Sequence, residues 1–224
     1  SAAAMGREQD HAVMEIPPNG EVNVQMNGQN IRFQMHGDGS SAPILDNKSA
    51  SYLGLTPGFI SIQVMIGSTT LKGETAVISY AINGRTTKRR AVWFAANVAP
   101  GYAGVMGPGA VPFRIVRFDL HPAAANEREF TLPLSANDRR GMATRLGDIF
   151  IQFDPLLSMS HSSAGAGAII SALNNGHFVG AASKREIIFG VQRPVRRVKL
   201  ATPFKIGPIA LRQFDVRTTD YGSA

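Results

Sequence analysis

The segment Asn30–Leu55 holds the residues best placed to do chemistry. An alternating run, Ile31, Phe33 and Met35, enters the turn His36-Gly37-Asp38-Gly39-Ser40-Ser41, and the chain leaves through Ile44 and Leu45. Asp38 stands between two glycines. A carboxylate in so tight a turn has two physical roles. It acts on a substrate as an acid or base, or it bonds the backbone amides of its own turn, as Asp commonly does. His36 divides in the same way, between a site residue and a histidine satisfied by one neighbour.

Other chemistry finds little support. The five histidines, His11, His36, His121, His161 and His177, show no metal-ligand spacing, and Cys is absent. Neither a metal nor a cofactor is expected. Ser160-His161-Ser162 places His beside Ser in sequence, which does not orient a nucleophile, and no G-x-S-x-G elbow is present. Residues 163–169 are rich in Gly and Ala but lack the Lys-Ser/Thr of a phosphate loop. Residues 104–111 read as a strand and a turn.

The 224 residues are 44% apolar and 17% charged, a composition that folds. The net charge is +7, concentrated at Lys88-Arg89-Arg90 and along Arg193–Lys199. In the second run, Arg193, Val195, Arg197 and Lys199 alternate onto one strand face. Basic residues on the solvated face of an edge strand block sheet-to-sheet aggregation, and this is the favoured reading. Nucleic acid is not the expected partner. No recognition motif accompanies the charge, and one Trp and four Tyr make a poor stacking platform. No apolar run is long enough for a membrane-spanning helix.

The elements that must position these residues are mostly strands. Val22, Val24 and Met26 lead to Asn27-Gly28, and Ile31, Phe33 and Met35 return, which predicts a hairpin. A second Asn-Gly turn, Asn83-Gly84, divides the alternating run 74–97. Residues 59–67, 113–120, 148–154, 185–191, 193–200 and 209–218 read as further strands. Two short helices are expected. One spans 45–55, with Asp46 as its cap and Gly54 at its end; the other lies in 162–176 and stops at Asn-Gly.

The order of elements occurs twice. Residues 1–15 are set aside as a tag or disordered N-terminus. Residues 16–122 form a first block, 123–146 a polar, Ala- and Pro-rich linker, and 147–224 a second, more divergent block.

The first block resembles a retropepsin-type aspartic protease lobe. The shared features are the hairpin 22–35, a turn followed by apolar Ile44, the helix end Leu53-Gly54-Leu55, the strand Val105-Met106-Gly107 and the following 113–119. The second block resembles a divergent second lobe. The resemblance implies a mostly β, two-lobed pepsin/retropepsin-like aspartic protease fold with short helices. It also implies a catalytic Asp-Thr-Gly turn in each lobe.

Both turns depart from that pattern. With Ser40 and Ile44 in register, His36 occupies the place of the catalytic Asp, Gly37 that of Thr, and Asp38 that of Gly. Ser41 follows Ser40. In the second block Asp154 holds the catalytic place, followed by Pro155-Leu156. An aspartic protease sets two carboxylates about 3 Å apart, sharing one proton between them. His36 opposite Asp154 forms an ion pair instead, which favours the charged form of each partner. A slip of the turn by two residues, which keeps the strand faces, makes Asp38 and Asp154 the dyad.

Three functions remain open from the sequence. The first is a catalytically degenerate aspartic-protease-like protein that binds a peptide or protein in the inter-lobe cleft. The second is an active aspartic endopeptidase using Asp38 and Asp154, or a site completed by a partner chain. The third is a basic surface module that binds an anionic polymer. As far beyond Asp154 as Gly107 lies beyond His36, the sequence has just passed Ala224. A second lobe completed by a partner chain or a cleaved C-terminal segment is therefore expected. The resemblance and the lack of Cys fit a bacterial exported protein, periplasmic or secreted, and leave the compartment open.

Overall fold

The structure is a computed structural model, which describes residues 13–37, 41–66, 68–119, 125–132, 143–154, 160–211 and 215–219. The first part of the chain runs β1 (Val13–Ile16), β2 (Glu21–Met26), β3 (Gln29–Met35), β4 (Ile44–Asp46) and α1 (Asn47–Tyr52). It continues with β5 (Ser61–Ile66), β6 (Thr69–Ile82), β7 (Arg85–Phe94), β8 (Gly104–Met106) and β9 (Ile115–Phe118). The second part runs β10 (Ala143–Leu146), β11 (Ile149–Gln152), β12 (Ser160–Ser163) and α2 (Ala164–Leu173). It ends with β13 (His177–Ile188), β14 (Val191–Lys199), β15 (Phe204–Ile206), β16 (Ile209–Leu211) and β17 (Asp215–Thr219). The chain is mostly β, as its alternating sequence requires.

Local chemistry sets the hairpins. Asn27 and Gly28 have φ of 48° and 75°, and Asn83 and Gly84 have 49° and 76°. Positive φ at both central residues twists the turn to match the strands it joins. Both Asn-Gly turns therefore fall where the sequence places them. Alternation then fixes the faces: Val22, Val24, Met26, Ile31, Phe33 and Met35 all point inward and are buried.

The first sheet has the order β2-β3-β8-β4-β7-β6-β5. It closes on itself because β2 also pairs with β6, Gln25 opposite Ala81 and Met26 opposite Tyr80. Six strands thus form a barrel, and β5 continues outside the closure. The barrel core joins Phe33, Tyr80, Trp93 and Leu45 to the hairpin residues and to Ala50 and Leu53 around α1. Each such large apolar side chain contributes roughly 1.5–3 kcal/mol on burial. Gly104 lets β8 lie against β4: a Cβ there would sit 2.0 Å from the Ile44 carbonyl oxygen.

The second sheet has the order β12-β17-β14-β13. It repeats part of the first. β4 runs parallel to β7, which is antiparallel to β6, which is antiparallel to β5. Likewise β12 runs parallel to β17, which is antiparallel to β14, which is antiparallel to β13. A capped helix follows the first strand of each set. The Asp46 carboxylate accepts from the Ser49 N–H at 2.6 Å at the start of α1. The Ser163 hydroxyl accepts from the Ala166 N–H at 3.2 Å at the start of α2. Both caps satisfy an N–H that the first helical turn leaves open. The β15–β16 hairpin interrupts the second set between β14 and β17, and its Phe204 and Ile206 join Ile149, Ile170 and Val198 in a separate core.

Two expectations need correction. The basic runs do not lie on edge strands. Lys88, Arg89 and Arg90 are on β7, between β4 and β6, and Arg193–Lys199 fall on β14, between β17 and β13. Their charges reach solvent across the sheet faces, so they cannot blunt an edge. The strand expected to start near 185 starts at His177 instead. Gly180-Ala181-Ala182-Ser183 has weak strand propensity, and β13 crosses it as a bulge between Val179 and Ser183, which do pair with β14.

Candidate functional site

The two hairpins β2–β3 and β10–β11 deliver one side chain each to a common point. His36 is the first residue past β3, and its backbone N–H donates to the Met106 carbonyl at 2.8 Å. Asp154 lies two residues past the end of β11. His36 Nδ1 stands 3.1 Å from Asp154 Oδ2. On its other side, His36 Nε2 stands 3.2 Å from Gln34 Oε1. The His36 side chain is 27% exposed and that of Asp154 10%.

Each ring nitrogen thus has a side-chain oxygen as its neighbour. This arrangement orders the His36 ring. In a Ser-His-Asp triad the carboxylate also holds Nδ1, but Nε2 faces a nucleophilic hydroxyl. Here Nε2 faces an amide oxygen.

The structure brings His36 and Asp154 together. Gly37 and Ser41 flank the first turn. Asp38, Gly39, Ser40, Pro155 and Leu156 lie outside the described residues. Among the described residues, no group of three or more His, Cys, Asp or Glu is placed to hold a metal ion.

A second contact joins the two units. Phe189 stacks on Phe94, with ring centroids 5.2 Å apart and an interplanar angle of 28°. Phe189 forms the β13–β14 turn with Gly190 and has φ of 53°, which a bulky residue rarely adopts. Phe94 is 2% exposed yet belongs to neither core. The register sets its face. Gln34 is opposite Val105, Val105 opposite Ile44, and Ile44 opposite Val92, two residues before Phe94. These residues share the outer face of the barrel, which carries the Gln34–His36 contact and the Phe94–Phe189 stack. The sequence signalled neither Gln34 nor Phe189. A Phe-Gly pair between alternating runs was the only available hint of that turn.

Two surface concavities lie elsewhere. One, of about 580 Å³, is lined by Arg32, Asp46, Lys48, Tyr52 and Tyr102 among others. The other, of about 400 Å³, lies in the second unit beside Leu173 and Phe204. Neither borders His36 or Asp154. No helix of the described residues is long and apolar enough to cross a membrane.

No protein-family model matches this chain, and no curated protein matches it.

Proposed function

We propose that this chain is a two-lobed, pepsin/retropepsin-like protein that has lost the catalytic dyad and binds a peptide or protein segment between its lobes without cutting it. The observation that carries the reading is the 3.1 Å contact between His36 and Asp154 at corresponding ends of two hairpins. A proteolytic pair needs two carboxylates there, one of them keeping the proton that it donates to the substrate carbonyl. A histidine opposite a single carboxylate lacks the second carboxyl group of that pair. The repeated strand order, with a capped helix after the first strand of each set, supports the two-lobed reading.

The test uses a statine-type peptide mimic and a denatured protein substrate at acid pH. The expected result is no cleavage, together with a shift of the His36 ring resonances when the mimic is added. Cleavage that the mimic blocks would overturn the reading in favour of an endopeptidase using Asp38 and Asp154. No cleavage and no shift would remove peptide binding from this cleft.

A further inference from the structure

We propose that the open edge of β13 is a docking site for an extended, acidic segment of a partner protein, which adds to the sheet as a further strand. The surface involves neither His36 nor Asp154. β13 pairs with β14 on one side and, among the described residues, with no strand on the other. Residues 177–184 are exposed without a break, on both faces of the strand. Phe178 is 53% exposed and Val179 36%. From His177 to Ser183 there is no Lys, Arg, Asp or Glu. Charged side chains are the usual protection of such an edge, and here only a bulge between Val179 and Ser183 interrupts it. The far end of the hairpin is pinned by Phe189 on Phe94, so the exposed end is held in place.

The charge behind the edge selects the partner. Arg196, Arg197 and Lys199 on β14 are exposed, and so is Lys184 on β13 itself. The Arg196 guanidinium lies 4.0 Å from the centre of the Phe178 ring. A strand added to β13 runs about 10 Å from β14, a gap that Arg and Glu side chains bridge together. Carboxylates on that strand meet these cations, while backbone N–H and C=O groups complete the ladder. Nucleic acid offers no matching row of amides, and one exposed Phe stacks few bases. A second copy of this chain would bring two basic strands together against their own repulsion.

Fluorescence anisotropy with a labelled peptide of alternating Glu and Val tests the proposal. Like charges across an interface repel, so this peptide should bind at least about tenfold more tightly than its Lys/Val counterpart. The variant R196E/R197E, changed at exposed positions and checked for unaltered thermal unfolding, should lose that preference. A version of the peptide with N-methylated amides along one edge should also lose binding, because it cannot form the ladder. Equal binding of the N-methylated peptide, or an unaffected R196E/R197E, would overturn the proposal. So would oligothymidylate displacing the peptide, or sedimentation showing a dimer that Phe178→Glu dissolves in place of peptide binding.

Discussion

His36 and Asp154 meet at 3.1 Å at matching ends of the β2–β3 and β10–β11 hairpins, with the carboxylate almost buried. The contact joins two units that have separate cores. Its consequences for stability follow from what each partner leaves behind when the other is removed.

His36→Ala removes the imidazole from the Asp154 carboxylate, which is 10% exposed. Losing one hydrogen-bond partner of a largely buried polar group costs about 1–3 kcal/mol. Urea unfolding of His36→Ala, Asp154→Ala and the double variant at pH 6 should give a coupling of about 0.5–3 kcal/mol. A coupling near zero would make the contact incidental to the fold.

His36→Asp places two carboxylates at one point. Like charges at contact hold a proton, so one folded-state pKa rises above that of an unfolded Asp. The stability this contributes is present below about pH 4 and lost as pH rises. The variant should therefore be weaker than the parent at pH 7 and regain ground as the solution is acidified. A constant difference across the range would show that the two carboxylates do not meet.

Tyr80 is 2% exposed and donates its hydroxyl proton to the Ala110 carbonyl. Burial pushes its phenol up to about 12, against a smaller opposite effect of the Arg89 guanidinium. The folded value lies above the unfolded one, so the contribution is complete below about pH 10 and is lost as pH rises towards 12. Stability should fall by up to about 2–3 kcal/mol over that range. Tyr80→Phe should flatten this alkaline fall, at the expense of leaving the Ala110 carbonyl without the hydroxyl.

Gly104→Ala sets a methyl group 2.0 Å from the Ile44 carbonyl oxygen and 2.9 Å from the Leu45 Cα. Both obstacles are backbone, so β8 and β4 must separate. The expected loss is about 3 kcal/mol or more, at the upper end of overpacking costs. Gly28→Ala is a useful contrast. Its Cβ meets nothing within 4 Å, and only its φ of 75° opposes the change.

Phe189→Ala removes the stack on Phe94. Such a pair contributes about 0.5–1.5 kcal/mol beyond the area it buries. Hydrogen exchange should quicken at the β13–β14 turn while the barrel strands stay protected. Unchanged exchange at that turn would mean that other contacts hold the hairpin.

What could be read directly was local. Asn27-Gly28 and Asn83-Gly84 specify their turns because both residues tolerate positive φ. Asp46 announces the first helix because a short side-chain oxygen reaches the N–H three residues on. Alternation assigned the inward faces of β2 and β3 from the period of the strand itself. Each of these signals acts over a few residues, where chain entropy is small and neighbours decide.

Tertiary structure decided the rest. No period in β2 or β6 says that Met26 pairs with Tyr80, yet that pairing closes the barrel. Gly180 to Ser183 has little strand character, and β13 continues across it as a bulge because Val179 and Ser183 pair with β14. Arg193–Lys199 alternates as an edge strand would, but its place between two neighbours is a property of the sheet. The sequence alone determined the Asn-Gly turns, the faces of β2 and β3 and the unusual residues at 36 and 154. Their distance, the Gln34 oxygen behind the ring and the Phe94–Phe189 stack depended on how two separately cored units pack, because such contacts arise from shape and burial across the whole chain.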